Sequence, residues 1–268
     1  MIILKIGGDI FHSGMTVNLL IDLKEILKLE KVVIVHGGGD EVTSIAEKLG
    51  KKQVFVTSPS GIRSRYTDKE TAEIYTMVMA GRINKLIVKW LLSNRVPAIG
   101  LSGIDAAILR AKRKKKLVIV DERGRRRIIE GGYTGKIVEV DPAPVNIFLH
   151  SGYVPVVAPI AIGDEYELLN VDSDRAAAYL AGSLNAERVI FLTDVEGVYI
   201  DGSLSSKLAL DEAEKILSKI GPGMNKKVLA SIEALRAGVQ EAIISSGFIK
   251  DPISKALNHK AGTVITIE

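Results

Sequence analysis

One residue separates Lys5 from the pair Gly7-Gly8, at the end of the apolar run Ile2-Ile3-Leu4-Lys5-Ile6. A second apolar run, Val32-Val33-Ile34-Val35-His36, ends in Gly37-Gly38-Gly39. Glycine lets backbone N–H groups approach an anion with no Cβ in the way. A helical pattern follows each turn, so a helix N-terminus adds its dipole at the same place. A lysine within reach of two such turns has the makings of a phosphate-transfer cradle. Either turn alone has an equally good structural reading, because neither G-x-x-x-x-G-K-[ST] nor G-x-G-x-x-G is present.

Further groups share this chemistry. Gly61-Ile62-Arg63-Ser64-Arg65-Tyr66-Thr67-Asp68 places two arginines before a helix start, with Thr67 and Asp68 as cap candidates. Arginine binds carboxylates through two parallel bonds, which suits an acidic substrate, although a surface loop pairing Arg with Asp68 would look the same. Alternation puts Asn170, Asp172 and Asp174 on one side at the entry to a helix, where Asp174 also serves as a simple cap. Lys227 follows Gly223-Met224-Asn225-Lys226 at another helix start, where the dipole repels a cation unless an anion is near. Leu192-Thr193-Asp194-Val195-Glu196-Gly197-Val198 reads as a strand end and turn fit for adenine and ribose contacts. The four histidines show no metal-ligand spacing, and His36 reads as packing at a strand end.

These groups need elements to position them. Val- and Ile-rich runs at 2–6, 32–36, 98–101, 154–158, 189–193, 241–245 and 263–267 read as strands. Helical periodicity covers 17–29, 41–48, 69–94, 144–150, 174–184, 211–219 and 227–237. The alternation predicts an α/β protein with a mostly parallel sheet covered on both faces and function at the carboxyl ends of its strands. Residues 116–129 read instead as a β-hairpin.

Composition excludes several classes. With no cysteine among 268 residues there are no disulfides, thiol nucleophiles or thiolate metal sites. No apolar run is long enough for a membrane helix, and a strand beginning almost at Met1 leaves no signal peptide, so the expected location is the cytoplasm. The net charge is +4, yet residues 110–127 alone carry ten Lys/Arg against Asp121 and Glu122, leaving the remainder mildly acidic. Such a basic feature calls for an anionic partner or is a solvated loop.

Taken in order, Lys5-Ile6-Gly7-Gly8, His36-Gly37-Gly38-Gly39, Arg65-Tyr66-Thr67-Asp68, Gly100-Leu101-Ser102-Gly103, residues 154–160, Asn170-Val171-Asp172-Ser173-Asp174, residues 192–198, residues 223–227 and Gly262-Thr263 resemble the amino acid kinase family, in its N-acetylglutamate kinase branch. The ordered set spans essentially the whole chain. The resemblance implies a three-layer αβα sandwich of the amino acid kinase and carbamate kinase type. It implies one domain, 1–268, with an amino-acid lobe at about 1–173 and an ATP-binding lobe at about 174–268. The implied reaction is attack of a side-chain carboxylate on the γ-phosphate of ATP, with Mg²⁺ bound through the nucleotide and no metal site on the protein. On this likeness Lys5 and Lys227 neutralise the transferring phosphoryl group, Asp174 holds both lysines, and Gly8 and Gly38 donate N–H bonds to it. Gly38, Gly39, Asn170 and Arg65 would hold the acceptor, Arg65 through the α-carboxylate. Gly7, Thr193, Asp194, Gly197, Val198, Gly223 and Met224 would hold the nucleotide.

Two departures narrow the substrate. N-acetylglutamate kinases commonly carry G-x-R-V-T-D and Asn-x-Asn-Ala-Asp, where this chain has Arg63-Ser64 before Arg65-Tyr66-Thr67-Asp68 and an acid at Asp172. Both resemble the branch that phosphorylates aminoadipate or glutamate carried on a small acidic amino-group carrier protein of the LysW type, in lysine and sometimes arginine biosynthesis. The basic segment 112–127 then becomes a docking candidate through Lys114, Lys115, Lys116, Arg125, Arg126 and Arg127; a solvated hairpin is the other reading. The competing function is an acetylglutamate kinase acting on free N-acetyl-L-glutamate. A silent amino-acid sensor or a nucleic-acid module is disfavoured by the intact lysines and Asp174 and by a basic patch lacking interleaved aromatics. A homodimer is expected from the resemblance, with neither nucleic acid nor membrane as partner.

Overall fold

Apolar runs with no polar face must be covered on both sides. The computed structural model, which describes residues 1–12 and 15–268 apart from the His12 side chain, builds them into one central sheet. Its order is Lys207–Ala209, Thr263–Thr266, Glu241–Ser246, Arg188–Thr193, Ile2–Ile6, Val32–His36, Val154–Ala158, Ala98–Ser102. The six strands from Glu241–Ser246 onward are mutually parallel, and Thr263–Thr266 turns antiparallel at the far side. The seven strands expected from the sequence all lie here, and Lys207–Ala209 is added beside Thr263–Thr266. Three residues without alternation carry no signal of their own.

The pleat sorts the sheet residues between two cores. Ile3, Val33, Val35, Val157, Val189 and Phe191 pack on one face against the helices Ser173–Ser183 and Met224–Arg236. Ile2, Leu4, Ile6, Ile34, Val154 and Val156 pack on the other, against Val17–Leu27, Pro252–Leu257 and the long helical stretch after Asp68. Lys5 shares its pleat side with Ile3, which sends it toward the helix that carries Asp174.

The long stretch departs from the single helix expected over 69–94. It runs as α-helix Lys69–Thr76, a π-helical segment Met77–Ile83, and α-helix Asn84–Ser93. Wider π-turns re-phase the face, a device often found beside functional sites.

Two smaller sheets cover the carboxyl ends of the central strands. One orders Leu168–Asn170, Ile160–Ile162, Leu109–Arg113 and Gly135–Val140. The other orders Arg63–Tyr66, Val54–Thr57, Lys116–Val120 and Arg126–Glu130. Only the hairpin was legible beforehand; it pairs Leu117 with Ile129 and closes with Gly124 at φ +73. Arg63–Tyr66, read as a loop, is a strand antiparallel to Val54–Thr57. Its two arginines, one exposed and one buried, hide the period that would announce it.

Candidate active site

The adjacent strands Ile2–Ile6 and Val32–His36 end in register, Ile6 opposite His36, so their glycine turns emerge side by side. Gly7 N–H still donates to Leu192 O (3.0 Å) and Gly37 N–H to Ile6 O (2.8 Å), extending the ladder. Beyond them Gly8 opens the short helix Gly8–His12, and Gly38 precedes the helix Gly39–Lys48. The first N–H groups of a helix have no intrahelical acceptor and face outward. A Cβ on Gly8 would lie 3.3 Å from Gly38 N, and one on Gly37 would lie 3.2 Å from Gly8 N and 3.6 Å from Lys5 Nζ. Gly38 adopts φ +146, and any side chain there would strike Ile83. Glycine is therefore required where two sets of amides converge beside one ammonium.

Beneath the turns lies a buried charge cluster. Lys5 Nζ is 2.7 Å from Asp174 Oδ1, and Lys227 Nζ is 3.3 Å from Asp174 Oδ2. Asp172, not Asp174, caps the helix, accepting from the N–H groups of Asp174 (3.1 Å) and Arg175 (3.2 Å). That leaves the Asp174 carboxylate to the two lysines. Burial pushes its carboxyl up, but Lys5 and Lys227 outweigh burial and hold it down at about 2. Burial is also the largest influence on Lys5 and pulls its pKa below the ordinary value against the attraction of Asp174. Lys227, less enclosed, is raised overall: burial lowers it, and Asp174, Asp172 and Asp194 more than compensate. Two cations against one buried anion leave a positive excess, which an anionic ligand would balance.

Arg65 is a further buried cation, and among the described residues it forms no ion pair. Only 8% exposed, it donates to Gly39 O (2.7 Å), Thr43 Oγ1 (2.9 Å) and Gln53 Oε1, and it stacks on Phe55 (4.9 Å). Asp68, which the loop reading would have given it, instead caps the next helix at Thr71 N–H (2.8 Å) and pairs with Lys51 (2.7 Å). Burial lowers the Arg65 pKa, yet a guanidinium stays charged in proteins.

A cleft of about 730 Å³ lies beside these groups. Gly37, Gly38, Gly39, Arg65, Asn170 and Gly223 line it, whereas Lys5, Gly8, Asp174 and Lys227 are not among its lining residues. Asn170 is fixed there by donating to Thr67 Oγ1 (2.9 Å). Of the remaining nucleotide candidates, Gly7, Thr193, Asp194, Gly197, Val198 and Met224 do not line the cleft. Gly7 and Thr193 instead stand where adjacent strands end, a Cβ on Gly7 falling 3.8 Å from Thr193 Cα. Val198 N–H donates to Thr263 Oγ1 (2.8 Å), and Gly197 packs tightly on the same threonine.

The amino acid kinase family model matches residues 1–246. The chain belongs to the amino acid kinase family. A relative from Sulfolobus acidocaldarius, named [LysW]-aminoadipate/[LysW]-glutamate kinase, is 46% identical over 267 residues, 99% of this chain and 100% of its own. One from Nitrosopumilus maritimus, provisionally named for the same activity, is 54% identical over 268 residues, the whole of both chains. Among solved structures, smu.665 from Streptococcus mutans UA159 superposes with a TM-score of 0.80 at 22% identity, covering 100% of this chain and 98% of its own. Carbamate kinase from Giardia lamblia bound to AMP-PNP gives 0.66 at 16% identity, covering 99% and 98%. These two likenesses show that the fold is that of amino acid and carbamate kinases.

Within this family member, the basic segment is not one surface. Lys114 is half-buried on the cleft wall, its pKa lowered by burial and by Arg175. Arg113 donates to Gly132 O (2.6 Å) and stacks on Tyr133 (4.1 Å). At the hairpin end, Arg125 and Arg127 fold back onto Asp121 at 3.3 and 2.8 Å. Lys115, Lys116 and Arg126 are exposed and carry no ion pair among the described residues. Sequence reading also passed over Thr43 and Gln53, which hold Arg65, and the Arg175–Glu233 pair (2.7 Å) that ties the helices of Asp174 and Lys227 together. No motif marks these groups; a buried arginine's need for acceptors was the only available signal.

Proposed function

We propose that this chain transfers the γ-phosphoryl group of ATP to the side-chain carboxylate of L-2-aminoadipate or L-glutamate attached to an acidic amino-group carrier protein of the LysW type, in lysine and arginine biosynthesis. What carries the reading is full-length identity of 46% and above to relatives named for this activity. The positive excess at Lys5, Asp174 and Lys227 beside two glycine turns supplies the chemical reason.

A carboxylate oxygen attacks the γ-phosphorus, the bond to the ADP oxygen breaks, and its electron pair leaves with ADP. The acceptor is already ionised, so the work is alignment and charge stabilisation. Lys5 and Lys227 neutralise the phosphoryl oxygens, Asp174 fixes both ammonium groups, and the N–H groups of Gly8 and Gly38 point at the same oxygens. Arg65 takes the α-carboxylate, with Asn170, Gly38 and Gly39 completing the acceptor side. The nucleotide side consists of Gly7, Thr193, Asp194, Gly197, Val198, Gly223 and Met224. Apart from Gly7, residues at about 1–173 thus serve the acceptor and those at about 174–268 the nucleotide.

No group of three His, Cys, Asp or Glu among the described residues could hold a metal. On this reading Mg²⁺ enters with ATP, held by its phosphates. No helix among the described residues is long and apolar enough to cross a membrane. The carrier docks on Lys114, Lys115, Lys116 and Arg126, with Arg125 and Arg127 contributing through the Asp121 turn. A homodimer goes with the family reading, and sedimentation of the purified chain tests it.

Hydroxylamine trapping of the acyl phosphate tests the function. With Mg²⁺ and ATP, hydroxamate forms from carrier-bound aminoadipate or glutamate and not from free N-acetyl-L-glutamate. Turnover of the free compound alone would overturn the carrier and return the chain to acetylglutamate phosphorylation.

A further inference from the structure

His36 and Asn84 lie outside every role given above, yet both are buried directly behind the second glycine turn. His36 Nδ1 is 3.0 Å from Gly37 O, so the ring must carry its proton on Nδ1 to donate there. Burial pushes the ring pKa down to about 4, so Nε2 is bare. It lies 3.4 Å from Asn84 Nδ2, whose two hydrogens have nearer carbonyl acceptors, so Asn84 backs the ring edge by contact and a shared hydrogen. The same Asn84 amide donates to Val156 O (2.8 Å) and Leu101 O (3.1 Å), while its Oδ1 accepts from Lys85 Nζ (3.0 Å). Lys85 Nζ is held in turn by Gly100 O (3.1 Å). A side chain at Gly100 would collide with Asn84, so three neighbouring strand ends are fitted around one amide.

The geometry has a consequence for Gly38. The carbonyl that His36 holds belongs to the Gly37–Gly38 peptide. In a trans peptide the C=O and N–H point in opposite directions. Fixing Gly37 O against the buried ring therefore fixes Gly38 N–H on the other side, where Gly37, Gly38 and Gly39 line the cleft. The turn cannot hold that plane unaided, because Gly38 lies at φ +146 with full glycine freedom. Ile83 and Met79 of the π-helical segment press on Gly38 from behind, and Asn84 is the residue that follows this segment.

We infer that His36 and Asn84 are positioning residues: the His36 Nδ1–H, oriented by Asn84, sets the Gly37–Gly38 peptide so that Gly38 N–H meets the transferring phosphoryl group. The inference rests on the phosphoryl-transfer reading above. A structural role alone would predict lost stability in any His36 variant, with unchanged turnover per folded molecule.

His36→Leu and His36→Asn in the full chain separate the two. The Asn side-chain N–H overlays the imidazole Nδ1–H and keeps the donor; Leu removes it. Expected is a ten- to hundredfold fall in kcat per folded molecule for His36→Leu, with KM for ATP and acceptor within about threefold, and recovery of most of the loss in His36→Asn. In the unmodified protein, ¹⁵N NMR should show the His36 ring protonated at Nδ1 and bare at Nε2 at neutral pH. A folded His36→Leu with normal kcat, a His36→Asn as slow as the Leu variant, or an Nε2–H ring would each overturn the inference. If His36→Leu does not fold, the ring tautomer and the His36→Asn kinetics decide. If the unmodified chain transfers no phosphoryl group, the functional reading has failed; the ring tautomer and the Gly38 amide shift in the two variants then judge the geometry separately.

Discussion

Asp174 and Asp121 each hold two cations, but water reaches the two clusters very differently. The side chains of Lys5, Asp174 and Lys227 are 5, 5 and 13% exposed. Around Asp121 the arginines are more than half exposed. Coulomb attraction at 3 Å is strong only where the solvent is excluded, and ions in water are screened within about 10 Å. The buried cluster can therefore stabilise charge that develops on a bound group, whereas the hairpin can attract a partner but do little chemistry. The dielectric surroundings thus suit the buried lysines to stabilising charge and the exposed arginines to attracting a partner.

The largest expected effect breaks the buried side. Lys5→Ala or Lys227→Ala should lower kcat on the order of 10²–10³, as for loss of one preorganised donor. Steady-state kinetics on folded enzyme check this, and near-normal kcat would remove the cluster from the chemistry. Next comes Arg65→Ala, which removes a charged hydrogen bond of roughly 1.5–3 kcal/mol and should raise acceptor KM by about ten- to a hundredfold with little change in kcat. An unchanged KM would place the carboxylate elsewhere.

Acid sharpens the contrast through stability. Asp174 is held at about 2 against an ordinary 3.8, so its pairing contributes fully above the ordinary value and fades as pH falls through about 2. The contribution is roughly 2 kcal/mol. Denaturant titrations at pH 6 and pH 2.5 should show Asp174→Asn losing less stability on acidification than the unmodified chain; an equal loss would mean the carboxylate is not so paired. The smallest effect belongs to the hairpin. Lys115→Gln with Lys116→Gln and Arg126→Gln should raise KM for the carrier-bound substrate severalfold and flatten its salt dependence. Arg125→Gln with Arg127→Gln should do less, since Asp121 already occupies those charges. Kinetics indifferent to ionic strength in all variants would make the hairpin a solvated surface.

The parallel sheet was legible because strands buried on both faces read as unbroken Val/Ile runs, and the glycine turns because only glycine tolerates such approach. The outer strand Arg63–Tyr66 was not, since its charged residues look like a loop until Val54–Thr57 pairs with it. The π-helical segment was hidden too: Met77–Ile83 keeps the apolar content of an ordinary helix.

By itself, then, the sequence determined the α/β class, the two glycine turns and the identity of the charged groups, all of which follow from local period and residue type. Tertiary structure decided which charges meet. Lys5 stands well over a hundred residues before Asp174, and Lys227 follows it by 53 residues. The three come together only because the Ile2–Ile6 strand and the helix carrying Lys227 both pack against the helix that Asp172 caps. It decided likewise that Asp68 serves Lys51 and a helix end, leaving Arg65 buried with no ion pair among the described residues. Pairing energies depend on distance and on exclusion of water, and neither is set until the chain has folded.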